Sequence, residues 1–243
     1  MAMKNLHLIA HCWSGDRDCY AKMLTAQLSS LLRWPPKCEY TLSICTARDD
    51  HQTLSAIEAF QHRCVAAVPR LLPRTELFRR AFGRNHCAKL SDGFDIVWFT
   101  DCDLLFGEGC LDALAGSDFM GLAYPRQQLI HRSHAMGDED LATITVGVTW
   151  KHDPSRFMPH RMKFASGGVQ IVDGNTGRRG YLDGTRWQQA VDPAGGFRAP
   201  GEDRVFRGLF RGKSTVLDIP NLFRLRHSST PFEEQAKRLQ STA

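Results

Sequence analysis

Two aspartates, Asp101 and Asp103, stand one residue apart where the apolar run from Phe94 to Thr100 ends. In an open α/β sheet, ligands bind beyond the carboxyl ends of the strands. Paired carboxylates there offer hard oxygen donors to Mg²⁺ or Mn²⁺. Alternate strand residues share a face, and an irregular turn after the strand lets both carboxylates meet one cation, which could neutralise a departing diphosphate. Two other tripeptides have the same form, Asp16-Arg17-Asp18 and Asp138-Glu139-Asp140, but only the middle one ends an apolar strand. The competing account is that Asp101 caps the next turn and Asp103 faces solvent.

Three further groups carry potential chemistry. Glu202 and Asp203 fall in the first turn of a helix whose apolar face is Val205, Phe206, Leu209 and Phe210. They could supply a catalytic base, or simply complement the helix macrodipole. Gly167-Gly168 precedes the strand-like run Val169 to Val172; missing side chains let a ligand approach the backbone there, or make an ordinary bulge. His227, late in the chain, is either a structural histidine or a metal ligand.

The elements that must position these residues alternate between strand and helix. Leu6 to Cys12 reads as a strand. Tyr20, Met23, Leu24, Leu28, Leu31 and Leu32 then recur at helical spacing, from the cap candidate Asp16 to the stop at Trp34-Pro35-Pro36. Tyr40 to Thr46 is a second strand closing on Asp49-Asp50, residues 53–62 a short helix, and Val65 to Val68 a third strand. After Pro73 a single helix is expected over Glu76 to Leu90, with Leu77, Phe78, Ala81 and Phe82 on its apolar face and Arg79, Arg80, Arg84 and Asn85 elsewhere. Such alternation predicts parallel βαβ units. Residues 126–163 show little periodicity and hold His131, His134, His152 and His160; a mobile excursion over the sheet edge is expected there. The polar last dozen residues are expected to fray.

At 243 residues and 42% hydrophobic content, the chain suits one sizeable α/β domain. No window has the uninterrupted apolar length of a transmembrane helix, and the start lacks the apolar core of a signal peptide, so a cytoplasmic protein with no integral membrane segment is expected. The eight cysteines form no Cys-X-X-Cys pair, which argues for free buried thiols over zinc or disulfides. The net charge of +5 comes from arginines scattered along the chain. With no aromatics interleaved among them for base stacking, a nucleic-acid partner is not expected, whereas a phosphate-bearing small ligand suits the charge.

Taken in chain order, Asp49-Asp50, Gly83-Arg84-Asn85, Asp101-Cys102-Asp103, Gly167-Gly168, Gly201-Glu202-Asp203 and His227 resemble the layout of nucleotide-sugar glycosyltransferases with the GT-A fold, particularly family 2. The resemblance implies a single GT-A-like domain over 1–243, with a mostly parallel sheet flanked by helices. Residues 1–106 would form its nucleotide-binding half and 107–232 its acceptor and catalytic half. It implies that Asp49 or Asp50 contacts the nucleoside, that Arg84 and Asn85 line the donor site, and that Asp101 and Asp103 take the ribose and the divalent metal, Mn²⁺ or Mg²⁺. Gly167 and Gly168 would touch sugar and acceptor, Asp203 of the Glu202-Asp203 pair would deprotonate the acceptor hydroxyl, and His227 would be a further metal ligand. The implied reaction is hexosyl transfer from a nucleoside diphosphate sugar, a UDP-sugar by preference, to an unspecified acceptor with inversion. The stretch after Trp13 departs from the usual opening motif. The other functions compatible with these residues are a nucleotide- or carbohydrate-binding protein that kept the fold without transfer, and a metal-dependent nucleotidyltransferase releasing pyrophosphate.

Overall fold

The computed structural model describes residues 3–14, 19–63, 65–133, 145–146, 149–151, 153–182 and 201–226. Asp16, Asp18, His134, Asp138, Asp140, His152, His227 and the polar tail lie outside these residues.

The first half builds the expected alternation. Strand β1 (Leu6–His11) is buried along its whole length. Helix α1 (Cys19–Arg33) follows, then β2 (Tyr40–Ala47), α2 (His51–Gln61) and β3 (Ala67–Leu72). The third strand lies later than expected and contains Pro69, which the sheet tolerates because β3 is its edge.

The helix expected over 76–90 is two pieces, α3 (Arg74–Leu77) and α4 (Arg80–Ala88), broken at Arg79, whose φ of −101° and ψ of 99° are extended. The cause is tertiary. The buried Glu202 carboxylate accepts the Ala81 N–H at 3.1 Å and pairs with Arg79 Nε at 2.8 Å. It thus caps α4 from 121 residues away, doing what a local N-cap side chain does and complementing the helix dipole.

Strand β4 (Ile96–Thr100) leads into a turn at Asp101–Asp103, then β5 (Leu104–Phe106), α5 (Cys110–Ala115), β6 (Leu122–Pro125) and β7 (Gln127–His131). The short β8 (Thr145–Val146) and β9 (Thr149–Trp150) pair antiparallel. Next come β10 (Phe157–Arg161), β11 (Val169–Asp173), α6 (Gly174–Arg178), α7 (Glu202–Gly208), β12 (Thr215–Leu217) and β13 (Leu222–Arg224).

The main sheet has the order β12-β6-β11-β4-β1-β2-β3 and is mostly parallel; only β11 runs against both of its neighbours. Its central strands are apolar on both faces, as a sheet covered by helices requires. Leu6, Leu8 and Ala10 of β1 pack with Ile96 and Trp98 of β4 against α1 and α2. Ile9, Val97 and Phe99 face the other way, toward α4 and Phe206 of α7. A second sheet, β10-β7-β13-β5, flanks the carboxyl end of β4. The excursion expected over 126–163 is therefore corrected at its two ends: β7 and β10 pair antiparallel within this sheet, from Phe157 with His131 to Arg161 with Gln127. Cys12, Cys38, Cys45, Cys87, Cys102 and Cys110 are buried free thiols, as expected.

Candidate active site

Asp101 follows β4 directly, and the turn that carries it is fixed from beneath. The buried Gln27 of α1 donates to the carbonyls of both Asp101 and Leu104 at 2.9 Å. Across the turn, Leu225 N–H donates to the Asp103 carbonyl at 2.8 Å, joining it to the second sheet. The two carboxylates emerge among arginines. Arg80 Nη1 lies 3.3 Å and Arg84 Nη2 3.7 Å from Asp101 Oδ1. Arg224 spans the pair, with Nε 3.0 Å from Asp103 Oδ2 and Nη2 4.0 Å from Asp101 Oδ2. Burial alone would raise the Asp101 pKa, but the guanidinium groups of Arg80, Arg84 and Arg224 overrule it and hold the carboxyl at about 2.

Arg84 ties this pair to the third carboxylate. Its guanidinium is fully buried, an unusual place for an arginine; Nη1 donates to Asp203 Oδ1 at 2.8 Å and Tyr181 Oη at 2.7 Å and Nη2 to the Gly167 carbonyl at 2.9 Å, while Nε has no hydrogen-bond partner among the described residues. Tyr181 in turn has two acceptors for its single hydroxyl proton, Asp203 Oδ1 at 2.7 Å and Gln170 Oε1 at 2.8 Å. Gln170 completes the ring by donating to the Asp203 carbonyl at 2.9 Å. Asp203 Oδ1 is thus held from two sides, while Oδ2 accepts no hydrogen bond among the described residues.

Gly167 and Gly168 explain how two carboxylates, those of Asp203 and Asp101, come this close to one strand. A Cβ on Gly167 would stand 2.2 Å from Asp203 Oδ2, and one on Gly168 would stand 2.6 Å from Asp101 Oδ2. The step therefore admits carboxylates of the protein itself, one on each glycine. Trp98 Nε1 fixes the Gly168 carbonyl at 3.1 Å.

The other sequence candidates sit differently. Asp50 is buried as the N-cap of α2, accepting from Thr53 N–H at 3.2 Å, Ser14 N–H at 2.9 Å and the Ser14 hydroxyl. Asp49 is half-exposed and pairs with Arg74. Asn85 clips the segment after α6, accepting from the N–H groups of Tyr181 and Leu182 at 2.6 and 3.0 Å and donating to the Leu182 carbonyl at 2.8 Å. Glu202 is fully buried against Arg79 and α4, and burial raises its pKa. Among the described residues no group of three or more His, Cys, Asp or Glu side chains gathers as metal ligands.

Several site residues are missing from the sequence-level set. Arg80 shares the α4 face of Arg84 at a spacing of four, a signal present in the sequence. His11, a polar residue ending the buried β1, packs against Gly83, whose Cβ would stand 2.2 Å from its Nε2. Burial, then Arg84 and Arg80, push its pKa well below 6.5, so the ring is neutral. Neither of its ring nitrogens has a partner among the described residues. Gln27, Gln170, Tyr181 and Arg224 carry no local signal; only the fold brings them here.

No protein-family profile matches the chain, and no curated protein matches its sequence. Solved structures match its fold. A mannosyltransferase from Pyrobaculum calidifontis, in complex with GDP-Man and Mn²⁺, aligns at 12% identity and a TM-score of 0.53 over 99% of this chain and 61% of its own. GalNAc-T7 with UDP, GalNAc and Mn²⁺ aligns at 11% identity and a TM-score of 0.55, over 98% of this chain and 48% of its own. The 4-diphosphocytidyl-2C-methyl-D-erythritol synthase of Anaerococcus prevotii aligns at 12% identity and a TM-score of 0.47, over 99% and 97%. The chain thus spans less than two thirds of the mannosyltransferase's length. At these identities the likeness is one of fold, that of the GT-A transferases.

Proposed function

With the GT-A fold as scaffold, we propose that this chain transfers a hexosyl group from a nucleoside diphosphate sugar, by preference a UDP-sugar, to a hydroxyl acceptor with inversion. The observation that supports it most is the convergence of Asp101, Asp103 and Asp203 on Arg84 and Arg224 beside the Gly167-Gly168 step. Fixed carboxylates and guanidinium groups of this kind can hold a diphosphate and deprotonate a hydroxyl within one site.

The donor set fits a divalent cation. Asp101 and Asp103 supply hard oxygens, and Arg224 already touches both, so the pair converges on a single positive charge. When bound there, Mn²⁺ or Mg²⁺ would offset charge developing on the diphosphate. The mannosyltransferase and GalNAc-T7 structures contain Mn²⁺ with a nucleotide sugar and a nucleotide, respectively.

This chain's own residues account for the rest. Arg80 and Arg224, both partly exposed, would attract the diphosphate. Asp203 would act as general base. Its Oδ1 is held by Arg84 and Tyr181, leaving Oδ2 to take the proton of the acceptor hydroxyl. As that proton moves, the acceptor oxygen bonds to the anomeric carbon and the bond to the diphosphate oxygen breaks on the opposite face. Asp49 and Asp50 would flank the nucleoside, Asp50 through the Ser14 segment it holds. Arg84 and Asn85 would set the donor-site wall, and Glu202 would act by positioning α4. His227, outside the described residues, is proposed as a further metal ligand.

Calorimetric titration with UDP, in Mn²⁺ and in EDTA, tests the donor site. Binding should require the metal in wild type and lose that requirement in Asp103→Ala; equal wild-type affinity in both buffers removes the metal from the reading. Screening donors then separates the remaining alternatives. Pyrophosphate release from a nucleoside triphosphate moves the chain to nucleotidyl transfer, and UDP binding with neither transfer nor hydrolysis leaves a binding protein.

A further inference from the structure

Beside Arg224 a cavity of about 220 Å³ is lined by Gln128, His160, Arg161, Lys163, Phe164 and Arg224, among others. Resting on the transfer reading above, we propose that it holds the acceptor, and that the acceptor is a hydroxylated ring bearing one anionic group, phosphate or carboxylate.

Position supports the role. Arg224 is shared with Asp103, and the segment from Arg161 to Ser166 runs directly into Gly167-Gly168. Arg207 of α7 stands 4.2 Å over the Phe164 ring and reaches the Ala165 carbonyl, so the cavity wall is fastened to the helix that carries Asp203.

Chemistry supports the class. Arg224 is already opposed by Asp103, but among the described residues Arg161 and Lys163 have no acidic partner. These are the charges open to an incoming anion. Gln128 is 4% exposed, and its Oε1 is buried without a hydrogen-bond partner among the described residues. A buried acceptor of that kind calls for a donor, which a ring hydroxyl provides. Phe164, 48% exposed, offers an apolar face for a ring to lie on. The volume equals roughly seven waters at liquid density, enough for one ring-sized group.

The probes are glucose, glucose 6-phosphate, glucuronate and inorganic phosphate, titrated by calorimetry into the full chain, with UDP plus Mn²⁺ as a separate titration. At least one of the charged hexoses should bind about tenfold or more tighter than glucose, and the stronger of the two identifies the anion. Arg161→Gln/Lys163→Gln, both changes at exposed positions, should abolish the advantage and leave UDP affinity unchanged. Equal affinity for glucose and both charged hexoses, an advantage that survives the double variant, or inorganic phosphate binding as tightly as glucose 6-phosphate would each overturn the proposal. Failure of UDP to bind while the charge advantage holds would instead overturn the donor reading and leave the anion-selective cavity standing.

Discussion

Arg84 and Asp203 lie 119 residues apart in sequence, and their side chains meet in a 2.8 Å hydrogen bond that is buried on the arginine side and open on the carboxylate side. That asymmetry gives the pair its direction. Arg84 is immobilised by Tyr181, by the Gly167 carbonyl and by stacking 4.7 Å over the Tyr181 ring, so it fixes one oxygen of Asp203 and leaves the other without a hydrogen bond among the described residues.

Asp203→Asn keeps the shape of the side chain and can still accept from Arg84 and Tyr181, but it cannot take a proton. Transfer should fall by roughly a hundredfold to ten-thousandfold while UDP affinity persists. Steady-state kinetics beside calorimetry reads the two separately, and an unchanged kcat would remove Asp203 as the base.

The two glycines should fail in different ways. A methyl on Gly168 drives Asp101 from its place, so Gly168→Ala should weaken Mn²⁺-dependent UDP binding. A methyl on Gly167 meets Asp203, so Gly167→Ala should lower turnover with UDP binding largely intact. Identical profiles for the two variants would contradict the separation seen at this step.

Glu202 is buried against Arg79 and the first turn of α4. Glu202→Ala removes both the ion pair with Arg79 and the acceptor for Ala81 N–H, leaving that amide unsatisfied, so it should lower stability in urea unfolding by at least about 1–3 kcal/mol. Glu202→Gln, which retains an acceptor for Ala81 N–H, should cost less. If both variants unfold like wild type and only turnover drops, Glu202 acts in the chemistry and not through α4.

Acid should destabilise the fold through histidine. His7 is buried between Ser91 Oγ at 2.6 Å and Ser43 Oγ at 2.8 Å, and burial followed by Arg70 lowers its pKa to about 4. The unfolded chain therefore binds a proton that the folded chain refuses between about pH 6.5 and 4. Stability is fully present above about 6.5 and lost as pH falls toward 4, by about 3 kcal/mol for this residue. His11, lowered for the same reasons of burial and nearby arginines, adds to the loss. Urea midpoints across this range should slope downward with acid, and His7→Gln should flatten the slope; a parallel curve for the variant would show that His7 does not titrate there.

The sequence by itself determined the scaffold. Leu6, Leu8 and Ile9 of β1 and Ile96 to Phe99 of β4 mark strands buried on both faces, the spacing of Met23, Leu24, Leu28 and Leu31 marks α1, and Asp101 stands at the end of its strand as read. These signals are local: periodicity and the stop at Trp34-Pro35-Pro36 act within a few residues of chain. The tertiary structure decided what the polar residues do. Asp49 and Asp50 look alike in sequence, yet Asp50 caps α2 and holds Ser14 while Asp49 meets Arg74 at the surface. The break between α3 and α4 depends on Glu202, and the counter-charges on Asp101 and Asp103 include Arg224, each separated from its partner by more than a hundred residues. Hydrogen bonds and ion pairs require particular atoms to meet in space, and no short window of sequence specifies which distant partner the closed sheet will bring.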